Sequence, residues 1–180
     1  MESFPLIRSL DQAAVDMAAS GNDTATSSDL PLADRASSLR MLGEALSIER
    51  MCAQRCESQA MMARNLDQGD LAEELERHAT DARQHIQQLQ ARVDQLDGGA
   101  SAASDRLASD SHSEYVGGIT LIDMLNESLA TERMAVAGYR EMVAYLGEKD
   151  PVTRRLLEDI MAMEAVQVDS LMAQLTAHRV

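Results

Sequence analysis

Apolar residues recur along most of this chain in alternating steps of three and four, the spacing that places side chains on one face of an α-helix. The clearest such segment spans residues 121–146, whose apolar face consists of Ile122, Leu125, Leu129, Val136, Tyr139, Val143 and Leu146. Glu132 falls on the same face near the middle of the segment. Because an unpaired carboxylate is costly to bury, the pattern predicts that Glu132 meets a partner from another part of the chain.

Three further segments show the same periodicity and predict three more long helices. They cover residues 34–66, residues 70–97 and a stretch that begins at residue 151. Turn and capping residues mark the ends of the four helices: the loop at 65–70, Gly98 with Gly99, Thr120 with Asp123, Gly147, and Asp150 with Pro151. With few aromatic residues and abundant Ala, Leu, Glu and Met, the composition also favours helix over sheet. We therefore predict an all-α protein.

The lengths of the connections predict how the helices are arranged. A helix of about 30 residues is about 45 Å long, and an extended chain needs about 13 residues to travel back along it. The breaks at 67–70 and 147–150 are too short for that, so helices one and two, and helices three and four, are predicted to form antiparallel hairpins. The connection at 98–118 is long enough to cross the bundle and leave helices two and three parallel. Residues 34–180 are then one four-helix bundle domain, and residues 1–33 a partly ordered N-terminal extension.

Charge and hydropathy narrow the classes of partner. The formal net charge is −14, and the Lys and Arg clusters that bind phosphate are missing, so we expect no nucleic acid partner. No run of about 18 apolar residues exists to span a bilayer, and the first 20 residues have neither a basic region nor a continuous apolar region of a signal peptide. We therefore expect no membrane association and a cytoplasmic location.

Cys52 and Cys56 lie four residues apart on the first predicted helix. Their Cβ atoms are then about 6 Å apart, too far for an unstrained disulfide. Both are expected to be reduced thiols. They are either small buried side chains or contributors to a metal or redox site.

Four polar residues interrupt the apolar faces at about the same height of the predicted bundle. They are Glu49, His85, Glu132 and Glu164, one from each helix. Three carboxylates brought together would raise one another's pKa values unless a cation lay between them. Oxygen ligands with one imidazole suit iron, manganese or zinc. We predict a metal site formed by these four residues.

At these residues the sequence resembles the ferritin-like superfamily, and the bacterioferritin branch in particular. The similarity covers about residues 36–176. It rests on four stretches: LGEALSIERMCAQ with Glu49, HIQQLQARVDQLDGG with His85, LATERMAVAGYRE with Glu132, and IMAMEAVQVDSL with Glu164. The superfamily pattern has one Glu from each of two helices and a Glu-x-x-His pair from each of the other two. The resemblance implies a ferritin-like four-helix bundle and a centre that binds two irons.

The chain departs from that pattern at two ligand positions. Ala82 stands where the second-helix Glu is expected, and Gln167 where the fourth-helix His is expected. Glu49, His85 and Glu164 could still hold a first metal, while a second would keep only Glu132 and a share of Glu164. Asp81 beside the missing Glu is a weak substitute, and His78 is better explained as a core or solvent-bonded residue.

Two other positions bear on cofactors. The resemblance places Arg83 where bacterioferritins carry the methionine that holds haem, so no haem is expected. Cys56 takes the place of a tyrosine near the family's metal centre, which puts a thiol beside the site.

Two functions remain open at the level of the sequence. The first is a bacterioferritin-like protein that binds iron or a similar metal, with iron storage or ferroxidase activity at an incomplete di-iron centre. The alternative is a catalytically inactive, metal-free structural or interaction oligomer with the same fold. In both cases the abundance of methionines beyond the needs of one core predicts a homo-oligomer, at least a dimer.

Overall fold

The computed structural model describes residues 30–97 and 120–178, which form four α-helices. Helix α1 spans Leu32–Asn65, α2 spans Gly69–Asp97, α3 spans Leu121–Leu146 and α4 spans Pro151–His178. These two ranges contain no β-strand. The predictions of an all-α chain and of a four-helix bundle are confirmed. Over the same ranges, no helix combines the length and apolarity that crossing a membrane requires.

Short turns join the helices into two antiparallel hairpins, as predicted. Between α1 and α2, the amide of Gln68 donates to the carbonyl of Ala63 at 2.9 Å, and Asp67 adopts a φ of 56°. Between α3 and α4, Gly147 ends the helix with a φ of 48°, a conformation that costs glycine little. Each turn is too short to let the chain cross the bundle, so it fixes its two helices side by side.

Capping residues set the starts of the second hairpin's helices. Thr120 and Asp123 form a reciprocal capping box at the start of α3. At the start of α4, the amide of Thr153 donates to Asp150 Oδ1 at 3.0 Å, and Arg92 of α2 also donates to this carboxylate at 3.0 Å. Asp150 thus caps α4, as the sequence predicts, and also ties the hairpins together.

Two apolar clusters show that α2 and α3 run parallel. One cluster joins the start of α1 and the ends of α2 and α3 to the start of α4, through residues that include Leu42, Leu96, Leu146 and Leu157. The other joins the end of α1 and the starts of α2 and α3 to the end of α4, through Ala63, Leu71, Leu125 and Leu175 among others. Helices α2 and α3 therefore begin at the same end of the bundle, as a crossover requires. The crossover itself and most of the predicted N-terminal extension lie outside the described residues.

Candidate metal centre

The polar residues that interrupt the four apolar faces lie at mid-height of the bundle, between the two apolar clusters. Glu49 comes from α1, His85 from α2, Glu132 from α3 and Glu164 from α4, and all four are buried. Each belongs to a helical face that is mostly apolar, which is why the side chains point inward. The helices thus bring together three carboxyl groups and an imidazole that are shielded from bulk solvent.

Three of these residues offer their ligand atoms to a single point. Nδ1 of His85 lies 3.0 Å from Glu49 Oε2 and 3.2 Å from Glu164 Oε1. One ligand atom from each of the three lies within 4.8 Å of the other two. Beyond its 3.2 Å contact with His85 Nδ1, Glu164 Oε1 has no hydrogen-bond partner within residues 30–97 and 120–178. A buried carboxylate oxygen with so few partners, beside two other ligand atoms, is what a cation would bind.

Glu132 lies next to this group of three without joining it. Its Oε2 is 3.9 Å from Cys52 Sγ, and its carboxyl group forms a hydrogen bond with Glu164. Burial, followed by the negative charge of Glu164, raises the pKa of Glu132 to about 9. Burial and the neighbouring charge thus favour the protonated form of Glu132 in the metal-free chain. The partner that Glu132 meets is Glu164, through this hydrogen bond.

The electrostatics of the centre show that its negative charge needs compensation. Burial alone would lower the pKa of His85, but hydrogen bonds to Glu164 and Glu49 outweigh it and raise that pKa to about 9. Burial also raises the pKa of Glu49, although the hydrogen bond from His85 opposes this shift. Without a metal, the raised pKa values of His85 and Glu132 favour bound protons that offset part of the negative charge of the carboxylates. A divalent cation would supply this compensation instead, and two carboxylates with an imidazole are ligands that suit iron, manganese or zinc.

Tyr139 is a contributor that sequence reasoning missed. Its hydroxyl donates a 2.5 Å hydrogen bond to Glu49 Oε1, on the oxygen that His85 does not contact. The sequence placed Tyr139 on the apolar face of the third helix, where it counted as a core residue. The available signal was its position seven residues, two helical turns, after Glu132, which puts both side chains on one face. Tyr139 orients Glu49 rather than acting as a ligand itself.

The two departures from the superfamily pattern leave part of the centre without ligands. Ala82 is buried against Cys52 and Ala53, so its position offers no polar atom. Gln167 is buried too, and its Nε2 has no hydrogen-bond partner in the part of the chain that the structure describes. Asp81 is half-buried and is not among the residues that meet at the centre.

The remaining residues singled out from the sequence lie near the centre. Cys52 and Cys56 are free, buried thiols, as predicted, and burial raises the pKa of both. His78 is buried about two turns along α2 from His85, which agrees with a core role. Arg83, at the position assigned to a haem-binding methionine, points outward to an ion pair with Glu57.

Comparisons with known proteins agree with this architecture. Residues 39–179 match the family described as "Ferritin: Ferritin-like domain". No curated protein matches the sequence. Among solved structures, the chain is similar to a bacterioferritin of Rhodobacter capsulatus, with 21% sequence identity and a TM-score of 0.69 over 80% of this chain and 86% of that one. That bacterioferritin is described with a metal-free dinuclear site and haem iron in a crystallographic special position.

Proposed function

Because the chain belongs to the ferritin-like domain family, we propose that it binds iron, or a similar divalent metal such as manganese or zinc, in the core of the bundle. The ligands are Glu49, His85 and Glu164. One observation carries this proposal: three buried side chains from three helices place their ligand atoms within 4.8 Å of one another. Buried acidic groups rarely converge in this way unless a proton or a cation compensates them.

The centre is lopsided, with one strong position and one weak position. The strong position has two carboxylates and an imidazole. The weak one keeps only Glu132 and a share of Glu164, because Ala82 and Gln167 supply neither the carboxylate nor the imidazole of the superfamily pattern. A site with so few protein ligands would fill only at high metal concentration. We therefore propose about one tightly bound ion per chain.

We also propose that the iron bound at this centre serves iron storage or ferroxidase activity. Iron bound at the centre would supply one-electron redox chemistry. The chain's own residues provide the setting: Tyr139 orients Glu49, and the two apolar clusters close the site above and below. With one strong position, any oxidation of Fe(II) by this chain would be slower than at a centre with all six ligands.

Haem has no place in the proposed function. Arg83 is exposed and forms an ion pair with Glu57 on the neighbouring helix. A guanidinium group offers no lone pair to a haem iron. We therefore propose no haem site in this chain, in contrast to the Rhodobacter capsulatus bacterioferritin.

We further propose that the protein is a homo-oligomer, at least a dimer, in the cytoplasm. Large apolar side chains stand exposed on three helices, among them Met61 of α1, Met134 of α3 and Val166 of α4, each more than half exposed. Met142, by contrast, is buried and serves the core of its own bundle. Exposed apolar side chains in this number favour burial against a second copy.

The alternative function is a metal-free oligomer that uses the fold only as a structure. The specific observation in its favour is that the raised pKa values of Glu132 and His85 favour protons that already offset part of the negative charge of the metal-free centre. This partial compensation reduces the need for an ion. The two functions differ in one measurable property, the affinity of the core for metal.

Anaerobic titration of the chelator-treated protein with Fe(II) tests the proposal. We expect saturation at about one tight ion per chain. Glu164→Gln should weaken binding at least tenfold, because it removes a charged ligand while preserving shape. Glu73→Gln, at an exposed position on α2, is the matched control and should bind like the parent. Absence of tight binding in the parent would favour the structural alternative, and saturation at two tight ions would contradict the lopsided centre.

A further inference from the structure

Three buried nitrogen atoms on the α4 C-terminal side of the metal centre lack hydrogen-bond partners. They are Nε2 of Gln59, Nδ1 of His78 and Nε2 of Gln167, and the statement holds for residues 30–97 and 120–178. The three residues are 1%, 4% and 6% exposed, so bulk solvent does not satisfy them. Native proteins pair nearly all such groups. Three in one region therefore indicate that something else occupies it.

Contacts between the helices place these residues at one level of the bundle. Glu74 of α2 binds Ser170 and Gln174 of α4. His78 lies one turn after Glu74, and Gln167 lies one turn before Ser170, so His78 and Gln167 lie at a similar height on the antiparallel helices α2 and α4.

Gln59 and Ser128 complete the same level from the other two helices. The hydroxyl of Ser128 on α3 lies 2.8 Å from Gln59 Oε1 on α1. Gln59 lies six residues before the end of α1 and His78 nine residues after the start of α2, so their heights in the bundle differ by no more than about one helical turn. We call Gln59, His78, Ser128 and Gln167 the inner polar layer.

The metal centre adds one acceptor to this set. Beyond its 3.2 Å contact with His85 Nδ1, Glu164 Oε1 has no hydrogen-bond partner in the described part of the chain, and Glu164 precedes Gln167 by three residues on the same helical face. The region therefore combines unpaired nitrogens with an oxygen that can accept a further hydrogen bond. A ligand that both accepts and donates hydrogen bonds satisfies both kinds. A flip of a glutamine amide exchanges its nitrogen and oxygen atoms. Such a ligand would satisfy the amide in both orientations, because it can donate to the oxygen or accept from the nitrogen.

Charge favours a neutral ligand over an anion. Glu74 lies on one side of His78 and Glu164 on the other, and no Lys or Arg belongs to the layer. Burial lowers the pKa of His78, which favours the neutral imidazole over a positively charged one. A buried anion would meet two carboxylates without a counter-charge. Water, with two donors and two acceptors, is the small molecule that fits.

We propose that the inner polar layer is a buried water site. Ordered water accepts hydrogen bonds from the nitrogens of Gln59, His78 and Gln167 and donates to Glu164. The site lies beside the metal centre, where the chain has Ala82 and Gln167 instead of the Glu and His of the superfamily pattern. It continues toward Glu74, whose partners Ser170 and Gln174 are only half-buried, so water exchanges through the α2–α4 interface.

Oxygen-17 magnetic relaxation dispersion on the full-length, chelator-treated protein tests this proposal, since the method counts water molecules that stay bound while the protein tumbles. We expect Gln167→Met, which keeps the length of the side chain but removes its polar atoms, to lose at least about one long-lived water relative to the parent. Gln87→Met, an exposed position on α2, should lose none. Because the protein is metal-free, this result does not depend on whether the centre binds iron.

Two outcomes would overturn the proposal. The first is an unchanged count of long-lived water in Gln167→Met and in His78→Leu, a second variant that serves if the first fails to fold. The second is a chloride-35 relaxation signal in the parent that is lost in these variants, which would show an anion in the layer instead of water.

Discussion

Tyr139 of α3 and Glu49 of α1 meet inside the bundle, where the tyrosine hydroxyl donates to Glu49 Oε1 at 2.5 Å. The other oxygen of the same carboxylate faces His85 at 3.0 Å. Glu49 is thus held from both sides before any metal binds. Preorganisation of this kind lowers the cost of assembling a metal site, because the ligand has little freedom left to lose.

Replacing Tyr139 with Phe should weaken metal binding without destroying it. The variant removes only the hydroxyl, so Glu49 keeps its place in the core but loses one of its two partners. We expect an affinity for Fe(II) lower by about tenfold, the low end of effects at residues that orient ligands, and a loss of about 1–3 kcal/mol in the free energy of unfolding of the metal-free protein. Isothermal titration and denaturant unfolding measure the two quantities.

Tyr145→Phe is the matched control for that experiment. Tyr145 stacks against Lys149, whose Nζ lies 4.2 Å from the ring centre, and a phenylalanine ring preserves this contact. An equal loss of affinity in both variants would show that Tyr139 acts through general packing and not through Glu49.

Asp150 should stabilise the fold in a pH-dependent way. Burial would raise its pKa, but hydrogen bonds from Thr153 and the charge of Arg92 outweigh burial and hold the pKa below its usual value. A carboxylate whose pKa is depressed on folding adds stability above the ordinary pKa, and that stability disappears as the pH falls through the folded value. Asp150→Ala should therefore cost about 2–4 kcal/mol at pH 7, and the difference from the parent should shrink below about pH 4.

Denaturant unfolding of both proteins between pH 3 and pH 8 measures this difference. Asp159→Ala on the same helix is the control, because Asp159 forms an exposed ion pair with Arg155 that contributes little. A cost for Asp150→Ala that stays constant down to pH 3 would show that the carboxylate's charge is unimportant to its role.

The exposed apolar side chains predict association between copies of the chain. Light scattering across a tenfold range of concentration should give a mass of at least a dimer, because Met61, Met134 and Val166 stand in water in the single chain. A monomer mass at every concentration would contradict the proposal, and would mean that these side chains are tolerated singly on the surface.

Restoring the two missing ligands should complete the second metal position. The double variant Ala82→Glu with Gln167→His adds a carboxylate and an imidazole at buried positions of α2 and α4, each three residues from an existing ligand and on the same helical face. We expect about two tight ions per chain and faster oxidation of Fe(II) by oxygen than in the parent. Stopped-flow absorbance with parallel metal analysis measures both.

The single variants separate the two contributions to that result. Gln167→His should strengthen the weak position only in part, since the carboxylate at 82 is still missing. If the double variant and the parent show the same slow oxidation and the same number of ions, then the centre has lost its metal geometry as well as its ligands.

The sequence predicts the fold because two simple features determine it. The three- and four-residue spacing identifies the buried faces, and the lengths of the turns at 66–68 and 147–150 leave antiparallel hairpins as the only possibility. The parallel arrangement of α2 and α3 could also be predicted from a connection length, because the segment at 98–118 is long enough to cross the bundle. These properties depend on chain geometry and not on which side chains touch.

The detail of the centre was less accessible, because periodicity gives the face of a residue and not its neighbour. The sequence placed Glu132 among the predicted ligands, yet it could not show that Glu132 pairs with Glu164 and lies outside the group of three. The role of Tyr139 could not be predicted, because a tyrosine on an apolar face can serve either as a core side chain or as a hydrogen-bond donor. Gln59 and Ser128 form their hydrogen bond across two helices, a contact that no spacing within one helix reveals.

Anomalous scattering at the iron absorption edge, from crystals of protein loaded anaerobically with Fe(II), tests the central claim most directly. The account predicts one strong iron peak per chain in the bundle core, within coordinating distance of Glu49, His85 and Glu164, with Glu132 at most a partner of a second, weaker peak. No peak in the core, or a strong peak held by residues other than these, would contradict it.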